Sequence, residues 1–356
     1  ALDGLFLVES RYALNNIYLI TLGLLGQLCF LLALPRKAWQ RWLWLSLAGV
    51  GFGAAAAIKW NGLGFLLGAY MVWGAGWLLR GIAFFKRRSS AESQTTSPAA
   101  LPVALQQVAQ LHLGHIVVAF AVIPALTYYV SWFPYLSLDP TTTFWDVQRE
   151  TLEYHERVGG LNAHPYCSLW YTWPLMLRPI AYFYQTAHQV GMTAPVIGPP
   201  TPNTAGKVIY DVHAMGNPFL WWFSTAAIVL VIGLLAHRLW QWLVSSKNSI
   251  SASHLTLYDW ISLYLVLNWA ANLLPWVKVT RCVFLYHYME SLVFAVLALS
   301  LVLDRWLFSS LQQRRTMALS VILIILAAFI FWLPLYLGLP LSPAEIQLRR
   351  WLPSWI

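Results

Sequence analysis

Residues 42–79 read WLWLSLAGVGFGAAAAIKWNGLGFLLGAYMVWGAGWLL, two apolar runs (42–58 and 60–79) parted by a single charge, Lys59. Each run is about 17 to 20 residues long, enough to cross roughly 30 Å of hydrocarbon at 1.5 Å per residue. Gly49, Gly51, Gly53 and Ala54 to Ala57 fill the first run with small side chains that let helices approach closely. Similar runs lie near 12–34, 111–133, 216–236, 257–277, 282–303 and 316–338, which gives eight candidate spans. Residues 1–10 read as the end of an earlier helix. The expected fold is therefore an all-α polytopic transmembrane helical bundle.

Composition agrees. Of 356 residues, 59% are hydrophobic and only 10% charged, against about 25% charged in soluble domains; the mean hydropathy is +0.60. The 21 Trp and 17 Tyr suit many membrane–water interfaces. The three cysteines, Cys29, Cys167 and Cys282, are few and widely spaced, which argues against a zinc module and any disulfide framework. A net charge of +9 could suggest nucleic acid, but the basic residues sit in short clusters between apolar runs, and no basic stripe of domain size exists. The chain starts at Ala1 inside an apolar stretch with no signal-peptide pattern, which reads as a truncated start.

Orientation follows from Lys and Arg in short loops. Arg36, Lys37 and Arg41, then Arg80 and Lys86 to Arg88, then Arg238 and Lys247, then Arg305, Arg314 and Arg315 share one side, which is read as cytoplasmic. Arg11, Lys59, Lys278, Arg281, Arg349 and Arg350 fall on the other, with the C-terminus outside. The chain divides into spans one to four (1–133, with a flexible linker at about 86–100), an external region (134–215), and spans five to eight with an external tail (216–356). In the external region Thr143 and Asp146 suggest a capping box. Phe144, Val147, Thr151, Leu152, His155 and Val158 then recur at helical spacing, predicting a short interfacial helix. Trp170 to Tyr184, with Pro174 and Pro179, reads as a broken, interface-hugging helix, and 191–206 as loop. No internal repeat is evident.

Several chemistries lack their motifs: GxxxxGK[ST], GxGxxG after a strand, Asp-x-Asp and HExxH are all absent. Asp211 and His213, with His188 not far in sequence, offer a weak metal reading; two polar loop residues beside a helix entrance explain them better. No metal or cofactor is expected. Polar groups at membrane depth are costly and so are default site candidates. Arg11, Lys59, Lys278 and Arg281 gather on the outer side, where cations could hold a lipid-linked phosphate; snorkelling at headgroups is the plain alternative for each. Glu290 is the one carboxylate well inside a span, with His287 on the same helical face. The pair reads as a polar cavity lining or, more simply, an interhelical hydrogen bond. His112 and His115 read as interfacial. His164, Tyr166 and Trp170 lie in a segment dense in groups that bind sugars and peptides, and Asn217 marks a helix entrance on the same side. An interface belt is the alternative.

In order along the chain, several pieces resemble the polyprenyl- or dolichyl-phosphate-mannose protein O-mannosyltransferases, membrane glycosyltransferases of the GT-C class. They are Leu2-Asp3-Gly4 … Ser10-Arg11-Tyr12, Lys59-Trp60-Asn61-Gly62, His164-Pro165-Tyr166 … Trp173-Pro174, Gly216-Asn217-Pro218, Leu274-Pro275-Trp276 and Phe284-Leu285-Tyr286-His287-Tyr288. The resemblance runs over essentially the whole chain, and the absence of an inserted MIR-type domain looks like the bacterial form. It implies about eleven spans with the C-terminus outside, three of them ahead of Ala1, and a catalytic Asp-Glu pair upstream of Ala1. Asn16 stands where the family usually has Asp, and Glu290 where Pro or a small residue is more familiar.

The resemblance further implies an enzyme moving mannose from a polyprenyl-phosphate donor to Ser or Thr hydroxyls of acceptor proteins. This would take place at the external face of a bacterial plasma membrane, in one inverting displacement. Arg11, Lys59 and Arg281 would bind the donor phosphate, His164, Tyr166, Trp170 and Asn217 the acceptor or sugar, and His287 and Glu290 would line the site. The alternatives are a GT-C transferase acting on a lipid or cell-wall glycan and, more remotely, a transporter or scaffold.

Overall fold

A computed structural model describes residues 2–90, 101–139, 141–187, 208–244 and 254–356, with side chains 87–90 left out. Among the described residues, eight helical segments are long and apolar enough to cross a membrane, at Asn15–Ala33, Ala38–Ile58, Trp60–Lys86, Leu113–Leu136, Pro218–Val244, Leu257–Lys278, Leu285–Leu307 and Gln312–Leu337. Each expected span has its counterpart, and the boundaries move by a few residues. A short helix, α1 (Gly4–Arg11), leads into α2 (Asn15–Ala33), α3 (Ala38–Ile58) and α4 (Leu63–Ser90). The helix α4 therefore carries through the first residues of the expected linker; 91–100 lie outside the described residues.

Beyond α5 (Val103–Val108), the fourth span is α6 (Leu113–Val117), a π turn at Val118–Val122 and α7 (Ile123–Ser131), followed by α8 (Phe133–Leu136). The helix α9 (Phe144–Arg157) has the expected capping box: Asp146 N donates to Thr143 Oγ1 at 3.3 Å, and Thr143 N to Asp146 Oδ2 at 3.0 Å. The last spans are α10 (Pro218–Val244), α11 (Leu257–Leu273), α12 (Met289–Leu307) and α13 (Gln312–Leu337), and a short α14 (Pro343–Arg349) follows.

Two contacts show why small residues recur. A Cβ on Gly51 would come within 2.9 Å of the Gly26 Cα, so α2 and α3 touch backbone to backbone. Gly64 and Gly68 of α4 leave room for Asn272 and Asn268 of α11. Between them runs a buried ladder. Gln27 Nε2 donates to the Phe65 carbonyl (2.7 Å) and to Asn268 Oδ1 (2.8 Å), while Tyr264 Oη donates to Gln27 Oε1 (2.7 Å). Satisfied polar groups of this kind fix the register of helices that lipid alone would not hold.

Two expectations are corrected. The stretch 170–184 is not a broken helix throughout. A 3-10 turn at Trp170–Leu175 ends where Met176 takes a left-handed backbone (φ 55°), and strand β1 (Ile180–Ala187) follows. Pro174 and Pro179 remove helical donors, and the run after them pairs antiparallel with β2 (Val208–Ala214). That strand pairs in turn with β3 (Pro340–Leu341), so the external region and the C-terminal tail share one small sheet. Gly338, with φ +66°, makes the turn from α13 into β3. The predicted loop 191–206 lies outside the described residues.

The cysteine reading also changes: Cys167 and Cys282 form a disulfide across 115 residues. Spacing hid it, because the external region folds back on the segment before α12. Ser168 N donates to the Val283 carbonyl (2.9 Å) and Cys282 N to the Gly159 carbonyl (2.8 Å).

Two stability outcomes follow. Gly51→Leu should lower the thermal midpoint of the purified protein more than Ser46→Leu, since only the former pushes a side chain into a backbone contact. An equal loss would deny the close crossing. Reductant should lower the wild-type midpoint, by the equivalent of about 2–4 kcal/mol, the typical worth of a disulfide, and leave Cys167→Ser unmoved. A reductant-insensitive wild type would deny the bridge.

Candidate functional site

Lys59 lies in the tight turn between α3 and the 3-10 residues Trp60–Gly62. Its Nζ donates to Asn16 Oδ1 at 3.2 Å and stands 4.8 Å from the centre of the Tyr286 ring. Asn16 also donates from Nδ2 to Glu9 Oε2 at 3.0 Å, and the Tyr182 hydroxyl of β1 donates to Glu9 Oε1. The amide of Asn16 thus bridges a cation and a carboxylate, accepting from one and donating to the other. An ionised Asp could accept from Lys59 but could not donate to Glu9, which gives a physical reason for Asn at this position.

On the other side of Lys59, Asn61 Nδ2 donates to Glu290 Oε1 at the start of α12. Glu9 is fully buried and Glu290 is 2% exposed. Both attract the lysine, while Arg281 repels it. Glu290 Oε2 and Asn61 Oδ1 are buried without a hydrogen-bond partner. Other buried atoms among the described residues, such as Asn272 Oδ1 and Ser291 Oγ, also lack partners; these two acceptors differ in standing beside a cation.

Burial dominates the titration of these groups. It holds the Lys59 ammonium below the ordinary lysine value, with Glu290 and Glu9 pulling back up and Arg281 pushing further down. It raises Glu9 above its ordinary value, against the hydrogen bonds from Tyr182 and Asn16 and the charge of Lys59. It lowers Arg281, which Tyr286 and Tyr154 partly offset, and it lowers His155, which feels Arg281 and Lys59 as well.

The sequence candidates are distributed as follows. Lys59 and Arg281 share the cluster; Arg281 is half-buried and donates to its neighbour's carbonyl, Cys282 O, at 3.2 Å. Arg11 is exposed at the end of α1 and donates to the Tyr336 carbonyl at 2.7 Å; no described contact joins it to Lys59. Glu290 belongs to the cluster. His287 is packed beside Trp173 and Trp276, its Nδ1 3.0 Å from the Phe284 carbonyl. His164 lies against both Tyr166 and Phe284, and Trp170 packs beside Tyr171. Lys278 ends the 3-10 turn Leu274–Lys278.

Asn217 is fully buried and donates to the carbonyls of Leu2 (3.1 Å) and Ile325 (2.8 Å). With Asp3, which accepts from Asn217 N (3.1 Å) and Trp221 Nε1 (2.7 Å), it ties α1 to α10. Asp211 faces His213 Nδ1 at 3.2 Å and Arg350 at 3.6 Å, joining the sheet to the tail. His188 lies outside the described residues. His112 and His115 stack near Trp42, away from this cluster.

Sequence reasoning passed over Glu9, Asn16, Asn61, Tyr182 and His155 as a group. One signal was available: Glu9 is an acid at the edge of an apolar run, which is costly unless it is paired.

Comparison with known proteins gives a consistent result. Residues 1–135 match the family description "Dolichyl-phosphate-mannose-protein mannosyltransferase", and residues 140–355 match "C-terminal four TMM region of protein-O-mannosyltransferase". A polyprenol-phosphate-mannose–protein mannosyltransferase of Mycolicibacterium smegmatis is 23% identical over 404 residues, taking in 99% of this chain and 70% of that protein. The Mycobacterium tuberculosis protein of the same name is 25% identical, over 61% of this chain and 38% of its own length. A chain from the solved S. cerevisiae protein O-mannosyltransferase Pmt1–Pmt2 complex bound to the sugar donor aligns with a TM-score of 0.43 and 21% identity. That alignment covers 60% of this chain and 27% of the other.

Asn16→Asp should destabilise the protein by about 1–3 kcal/mol at pH 8, by removing a buried donor from Glu9. Because the Glu9 pKa is raised, acid protonates it early and lets it donate in turn. The gap in thermal midpoint from wild type should narrow between pH 8 and pH 5. A gap that stays constant would break the Asn16–Glu9 assignment.

Proposed function

Because the chain belongs to the protein O-mannosyltransferase family, with matches over 1–135 and 140–355, we propose that it moves mannose from a polyprenyl-phosphate donor to Ser or Thr hydroxyls of proteins. Those two matches, which together span nearly the whole chain, carry the reading. The names borne by the mycobacterial relatives support the donor and acceptor classes.

The geometry around Lys59 supports a chemistry for the step. The donor phosphate sits against Lys59 and Arg281, with Arg11 as an outlying third cation. An acceptor hydroxyl oxygen bonds to the anomeric carbon as the bond from that carbon to the phosphate oxygen breaks. The hydroxyl proton passes to a carboxylate base, and the electron pair of the broken bond leaves on polyprenyl phosphate. Preplaced cations matter most at that moment, because charge grows on the departing oxygen. The spare acceptors Asn61 Oδ1 and Glu290 Oε2 suit the hydroxyls of the hexose, which donate. His164, Tyr166 and Trp170 offer aromatic and polar surface to the acceptor chain.

The reaction side is read as external, in a bacterial plasma membrane. Lys and Arg crowd the loops of the opposite face. The Cys167–Cys282 bridge near Arg281 also suits an oxidising compartment.

In the full-length enzyme, Lys59→Ala should lower kcat/KM for the lipid donor by about 10²-fold or more, the usual cost of losing one charge-stabilising group. Lys37→Ala, in a loop of the opposite face, should stay within twofold. The lowered Lys59 pKa means that donor use should fail as pH rises through a value below the ordinary lysine range. Lys59→Arg should keep activity and carry that alkaline limb upward. Identical limbs in the two proteins would remove Lys59 from the phosphate site. A product with mannose on a lipid or glycan in place of Ser or Thr would overturn the acceptor class.

A further inference from the structure

On the face of the basic loops, far along the spans from Lys59, α10, α11, α12 and α13 enclose a cavity of about 1070 Å³. Its two ends differ in chemistry. The inner part is apolar, with Leu234, Val302 and Met317 among its walls. The mouth carries Arg238, Arg305 and Arg314 with Ser309. From Leu230 to Arg238 the wall of α10 runs eight residues, about 12 Å along the helix axis.

The charges at the mouth are unbalanced. Asp259 is the acid in the lining, and it is already engaged with Arg238 at 3.6 Å. Arg305 lies over the Tyr258 ring at 4.5 Å, and both it and Arg314 are exposed with no carboxylate partner among the described residues. Arg314 and Arg315 also occupy the first turn of α13, a helix of 26 residues with no acid in that turn and no side-chain cap. A helix N-terminus is the positive end of its dipole, where cations are unfavourable and anions welcome. Two arginines there, beside a third on α12, leave a strong local demand for negative charge.

We propose that this cavity is a binding site for an anionic diacyl phospholipid of the basic-loop leaflet. The phosphate would lie between Arg305, Arg314 and the N-terminus of α13, and part of an acyl chain would fill the apolar wall. Basic pockets between spans on this face are suited to lipid headgroups, and the apolar half is what a soluble phosphate would leave unused. The site is separate from the donor cluster and does not depend on which sugar is transferred.

The test uses the full-length protein, delipidated in a neutral detergent, with thermal midpoint and native mass spectrometry as readouts. Phosphatidylglycerol should raise the midpoint and stay bound; phosphatidylcholine and inorganic phosphate at equal concentration should do neither. The double variant R305Q/R314Q should fold, transfer mannose, and bind phosphatidylglycerol about tenfold more weakly or worse, whereas Arg36→Gln on the same face should bind it as wild type does. Equal stabilisation by phosphatidylcholine, a shift reproduced by phosphate alone, or unchanged binding in the double variant would each overturn the site. If the double variant fails to fold, Arg305→Lys with Arg314→Lys keeps the charge, and a loss of binding there equal to that of Arg305→Gln alone would refute a charge-driven site.

Discussion

The charge on Lys59 is half-buried, and the outer half of the molecule is arranged around it. A partly buried ammonium is costly unless it is paired. Two buried carboxylates, Glu9 and Glu290, act on it, and Asn16 links it to the first of them. Meeting that requirement draws together α1, α2, the turn after α3, the start of α12 and, through Tyr182, the external sheet. The partial burial of one cation supplies a reason for these non-adjacent elements to meet.

The sheet answers a second demand of the same arrangement. The carboxylate of Glu9 needs donors, and the external region brings one on β1. The strand is itself anchored by β2, whose seven residues are all buried, and by the C-terminal tail through β3. Trp355 Nε1 donates to the Met176 carbonyl at 3.0 Å, so the last residues close over the turn that precedes β1. Loop, tail and first helix therefore form one outer layer, braced again where Cys167 meets Cys282.

How much of this was legible depended on the range of the interaction. Spans such as 42–58 were plain because transfer from water to lipid acts on each residue separately and sums along the chain. The capping box at Thr143 was plain because its partners lie three residues apart. β2 was not, since VIYDVHA is buried on both faces and lacks the alternation that marks a half-exposed strand. The disulfide and the Glu9–Asn16–Lys59–Glu290 cluster were hidden for a shared reason: their partners are far apart in sequence, and only the fold gives their distances. Among the proposed phosphate ligands, Lys59 and Arg281 are close enough to repel each other, while Arg11 sits against the end of α13. Asn217, read as a sugar-facing group, spends its donors on backbone. A polar residue at a helix entrance can serve the helix as readily as a ligand.

Two polar systems inside the bundle differ in one telling respect. The ladder of Gln27, Tyr264 and Asn268 is closed: each side chain finds its partners in neighbouring helices, and its effect is to fix their packing. The cluster at Lys59 is open. Its cations exceed what their hydrogen bonds use, and it keeps two buried acceptors without donors. In a low-dielectric setting an unsatisfied polar atom costs about 1–3 kcal/mol, and what distinguishes these two from other unpaired buried atoms, such as Asn272 Oδ1, is the cation beside them. A sugar phosphate would complete it, with oxygens for the cations and hydroxyl protons for the spare acceptors.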